Sequence, residues 1–86
     1  MNANDRIRNL RDYLDRMEDM SDHMIAEGHA AIGRTWDELR TDAASSRMNA
    51  VEGELARIKR EEEQIMTWVA RQSIIREVRM ILDGEV

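Results

Sequence analysis

Residues 48–69 read MNAVEGELARIKREEEQIMTWV. Met48, Val51, Leu55, Ile58, Ile65 and Val69 recur at intervals of three and four, with Glu62 as the polar member of the series. Side chains spaced this way share one side of a helix, whereas a strand repeats every second residue. The stretch therefore predicts a helix with a heptad pattern and one polar seam position.

Downstream the apolar arc widens. Ile65, Trp68, Val69, Ile74, Ile75, Val78, Ile81 and Leu82 cover more than one helical face, because neighbours such as Ile74 and Ile75 point about 100° apart. One partner helix can cover only one such face. These eight residues are the expected partner-binding or self-association surface. Asp83-Gly84 closes the helix, glycine being suited to the left-handed position after a helix end.

Upstream, Thr35-Trp36-Asp37-Glu38 has the form of a capping box, and Ile32 is placed to staple onto Leu39. With Gly28 and Gly33 just before it, this motif predicts a turn at 32–35 and a helix over 36–82. Asp42–Ser46 is the weakest helical stretch, so a break near 42–47 is the alternative to a continuous rod. The first helix is expected over 5–31, capped by Asn4 or Asp5, with an apolar stripe at Ile7, Leu10, Leu14, Met17, Met20 or Ser21, and Met24. The expected fold is all-α: one small domain over 1–86, built as an antiparallel helical hairpin or a kinked three-helix bundle with coiled-coil character, and homo-oligomeric.

Composition supports this fold and narrows the function. The 86 residues contain no proline and no cysteine, and 36% are charged, which excludes a disulfide scaffold and a hydrophobic membrane span. A chain this short buries only roughly 60–65% of its unfolded surface, so association is the remaining route to a larger core. The opening MNANDRIRNL lacks the apolar centre of a secretory signal, which makes the cytoplasm the expected location. Arginine outnumbers lysine twelve to one, a bias expected of a GC-rich bacterial or phage genome.

Charge is uneven. Residues 12–42 carry nine acids against three bases within a net charge of −5, which disfavours a nucleic-acid partner. Asp12, Asp15, Asp19 and Asp22 recur at helical spacing, either as a solvated face or as an acidic docking face for a basic partner. Asp19, His23 and Glu27 share a face but lack the Glu-x-x-His pairs that facing helices use to hold metal. Ser45, Ser46 and Ser73 have no histidine in the same predicted element, and no phosphate-binding glycine loop occurs.

No catalytic residue, cofactor or metal is expected, and no membrane partner. The expected function is a non-enzymatic adaptor, assembly factor or regulator that binds itself, as a homodimer or higher assembly, and another protein. Two alternatives come from other classes. One is a DNA-binding regulator using Arg71, Arg76 and Arg79; the other is an acidic inhibitor that mimics nucleic acid.

Overall fold

A computed structural model describes residues 2–84. It contains two helices, α1 (Ala3–Ala44) and α2 (Met48–Leu82), and no strand among the described residues. The helices lie side by side in a body of 64 × 21 × 15 Å. Their bonded partners fall in mirror order along the chain: Arg11 with Asp83, Asp15 with Arg79, and Glu38 with Arg57. The packing is therefore antiparallel from end to end.

The expected turn at 32–35 is absent. Helix α1 runs through Gly28, Gly33 and the supposed capping box, and the chain reverses at Ser45–Arg47, inside the segment expected to hold a break. Thr35 does not cap. Its hydroxyl donates to the Ala31 carbonyl at 2.9 Å, and the Glu38 carboxylate is turned to Arg57 at 3.2 Å. Neither glycine ends the helix, since one of them costs only about 1 kcal/mol of helix propensity and packing overrides it. The reversal is set instead by Ser46, which takes φ 58°, while the Arg47 and Ser46 amides donate to the carbonyls of Asp42 and Ala43. These are the two returning bonds of a Schellman motif, here with serine in the left-handed position that glycine usually takes.

At the amino end the cap is Asn2, whose Oδ1 accepts from the Asp5 amide at 2.9 Å. Helix α1 therefore begins slightly before the expected start. At the other end Gly84 takes φ 72° after Leu82, as its sequence position predicts.

The residues that α1 turns toward α2 recur every seven: Leu14, Ser21, Gly28 and Thr35 are its buried positions. On α2 the inward line is Val51, Glu54, Ile58, Glu61, Ile65, Trp68, Gln72, Ile75, Arg79 and Leu82, all buried or half-buried. This corrects half of the predicted stripe. Val51, Ile58 and Ile65 face inward as expected, but Leu55 and Val69 are each 49% exposed and Glu62 is exposed. The reason lies at the far end of the helix. A seam through 55, 62 and 69 would continue to Arg76 and Asp83, whereas a seam through 54, 61 and 68 continues to Ile75 and Leu82. The second set brings Trp68, Ile75 and Leu82 into the seam and leaves Glu62, Arg76 and Asp83 outside it, at the cost of turning Glu54 and Glu61 inward.

Gly28 lies directly against Ile65 across the seam. A Cβ placed on it would lie 2.6 Å from Ile65 Cγ1, whereas nothing lies within 4 Å of the same position at Gly33. The two glycines should therefore respond oppositely to substitution. Gly28→Val is expected to lower stability by about 1–3 kcal/mol through overpacking against Ile65. Gly33→Ala is expected to raise it by up to about 1 kcal/mol through helix propensity. Urea unfolding followed by far-ultraviolet circular dichroism measures both, and equal responses would contradict the close contact at Gly28.

Candidate functional site

Small residues on α1 leave a notch on one side of the seam. A groove of about 250 Å³ is lined there by Met24, Gly28, Ala31, Gln64, Ile65 and Trp68, among others. The Arg71 guanidinium lies 4.8 Å above the Trp68 ring, a cation–π contact that covers part of the indole. Seven-residue steps from the groove place Leu10, Met17 and Met24 on the same flank of α1, and Gln64, Arg71 and Val78 on that flank of α2. The next row outward holds Tyr13 and Met20 on α1 and Ile74 and Ile81 on α2. Tyr13 is 51% exposed, Met20 50%, Ile74 59% and Ile81 64%. The mirror order of the helices puts Tyr13 level with Ile81, and Met20 level with Ile74.

The opposite flank is acidic and partly bonded. Asp12 and Asp19 are exposed. Asp15 accepts from Arg79 at 2.6 Å, and Asp22 accepts from the Gln72 amide. The predicted row of four carboxylates is thus divided, two of them being tied to α2. Gln72, only 8% exposed, also donates to Ser21 Oγ at 3.1 Å, and that hydroxyl donates onward to the Glu18 carbonyl at 2.7 Å. Arg79 adds a bond to Glu18 at 2.8 Å, and its hydrogen bond to Asp15 raises the guanidinium above its ordinary pKa. These bonds leave Arg79 little freedom to serve a phosphate.

The eight residues predicted to bind a partner are divided as well. Ile75 is buried against α1, and Ile65, Trp68, Val78 and Leu82 are half-buried, while Val69, Ile74 and Ile81 remain exposed. Sequence reasoning placed Leu10, Met17, Met20 and Met24 in the packing stripe of α1 and did not assign them, with Tyr13, to a separate apolar flank. Its signal was present: these five residues form their own three-and-four series beside the line of Ile7, Leu14 and Ser21. Among the described residues no three His, Cys, Asp or Glu side chains group as a metal site, and no helix is long and apolar enough to cross a membrane.

No protein-family model matches the chain, and no curated protein or solved structure is significantly similar to it.

Beside the turn, three carboxyl groups converge. Glu54 is 5% exposed, and its Oε2 has no hydrogen-bond donor. Its pKa is raised from 4.5 to about 7, first by a hydrogen bond with Asp42, then by burial and by repulsion from Asp42 and Glu38, against a smaller opposing pull from Arg57. Glu54 therefore keeps a proton in the folded chain that it releases on unfolding. Its contribution to stability is greatest at or below pH 4.5, falls as the pH rises toward about 7, and is flat above that. Glu54→Gln supplies a permanent donor to Asp42. The variant should melt higher than the parent above pH 7 and lack the parent's decline across this window. Thermal melts across the range check this, and an unchanged slope in the variant would show that Glu54 is not the titrating group.

Proposed function

We propose that this chain is a non-enzymatic binding protein, an adaptor, assembly factor or regulator that works in the cytoplasm by offering helical faces to other polypeptides. The observation that carries this reading is the amount of large apolar side chain lying outside the seam. Among the described residues only Leu14, Val51, Ile58 and Ile75 are buried apolar residues, whereas thirteen large hydrophobic residues are exposed. Isolated exposed hydrophobics are ordinary on a monomer, but a continuous run on one flank marks a contact surface. Methionine suits such a surface, because its flexible thioether adapts to irregular partners.

The two alternatives draw less support. Arg79 is bonded to Asp15 and Glu18, which takes one base from a DNA-reading face built on Arg71, Arg76 and Arg79. Asp15 and Asp22 are likewise engaged within the hairpin, which thins the acidic row a nucleic-acid mimic would use.

A photo-crosslinking residue at Met20 should capture protein adducts in the source cell, while one at Met66, exposed on the opposite flank of the hairpin, should capture few or none. Equal yields at the two positions, or none at Met20, would sink the reading.

A further inference from the structure

We infer that the occupant of the apolar flank is a second copy of this chain, packed face to face into a four-helix bundle. The inference rests on the binding reading above and names its partner.

Surface area is the first argument. The chain exposes 6449 Å². A compact monomer of 10.1 kDa is expected to expose about 5,300 Å², so roughly 1,200 Å² is in excess. A stable interface takes about 800 Å² from each partner. The excess is larger than that share, so each molecule has the area that one stable contact with a second copy requires.

The pattern of the flank is the second argument. In a two-fold dimer each patch must be complementary to itself. Leu10, Tyr13, Met17, Met20 and Met24 on α1, with Ile74, Val78 and Ile81 on α2, form two adjacent apolar rows bounded by Arg6 at the open end and by Arg71, laid over the Trp68 ring, toward the turn. Two such rows on one side of a helix pair are what a four-helix core takes from each half. The other flank does not offer this. There the exposed Met66, Val69 and Met80 are interleaved with Lys59, Glu62 and Arg76 and face the aspartates of α1.

Charge also sets the direction. Toward the turn, the same flank becomes basic, with Arg34, Arg57 and Arg60 partly offset by Glu27 and Glu38. Two copies packed parallel would bring those arginines against their own copies. Packed antiparallel and offset, the apolar halves cover each other and the turn ends project away on opposite sides. With the two-fold axis near Met17 and Met20, two 64 Å hairpins would overlap to a length of roughly 85 Å.

Light scattering and small-angle X-ray scattering of the full chain should give twice the 10.1 kDa mass and that length. Met20→Asp combined with Ile74→Asp should weaken association about a hundredfold, and Met66→Asp should leave it unchanged. Because the chain has no cysteine, single cysteines report the arrangement directly. Met17→Cys should form a disulfide dimer and Ser46→Cys should not, a result that stands even if the aspartate variants unfold. A monomer at high concentration would overturn the second copy as occupant, while Met20 adducts to a different protein in the cell would leave the binding reading in place. Dissociation by Met66→Asp alone would overturn the face, and efficient dimers through Ser46→Cys would overturn the antiparallel offset.

Discussion

The close approach of the two helices at Gly28 is the constraint on which the rest of the molecule depends. Ser21, Gly28 and Thr35 place small side chains at every seventh residue of α1, so that Ile58, Ile65 and Gln72 of α2 can lie close to its backbone. A seam of small residues joins helices tightly but buries little apolar area. The large side chains of α1, mostly methionine, are displaced to the flank. The hairpin accordingly exposes more total surface than a compact chain of its size, with large apolar side chains among what is exposed.

Polar groups set the register of that seam. A purely apolar seam with a seven-residue repeat can slip by a heptad at modest cost, whereas buried polar groups penalise every register that leaves them unpaired. Gln72 finds both Ser21 and Asp22 in the observed alignment, and Arg79 finds Asp15 and Glu18. Near the turn Glu54, buried beside the carboxyl groups of Asp42 and Glu38, holds its proton to a higher pH than a free glutamate. Neutralising Glu54 allows a carboxyl group to occupy an inward position that Leu55, its exposed neighbour, leaves unused.

The two flanks of the seam consequently differ in character. One carries Met, Tyr and Ile between Arg6 and Arg71. The other carries aspartates, two of which are held by α2. A hairpin sided in this way has one flank that is mainly apolar and one that is charged.

Much of the fold was legible in the residues themselves. Period, composition and the absence of proline determine helix, and Asp83-Gly84 determines where α2 ends, because these are properties of the local chain. The inward line through Val51, Ile58 and Ile65 was legible for the same reason. The location of the reversal was not. Gly33 and the Thr35–Glu38 motif carry a stronger local signal for a boundary than Ser45–Arg47 does, yet local terms of about 1 kcal/mol yield to the continuous packing of α1 along α2. Nor could periodicity tell whether Leu55 or Glu54 faces inward, since both adjoin the same line and the choice is tied to residues 20 to 28 positions away, where Ile75 and Leu82 turn inward and Arg76 and Asp83 do not. The apolar residues of both helices were plain in the sequence. Only the pairing of the helices divided them into a seam and an uncovered face, because which side of a helix is dry depends on what lies beside it.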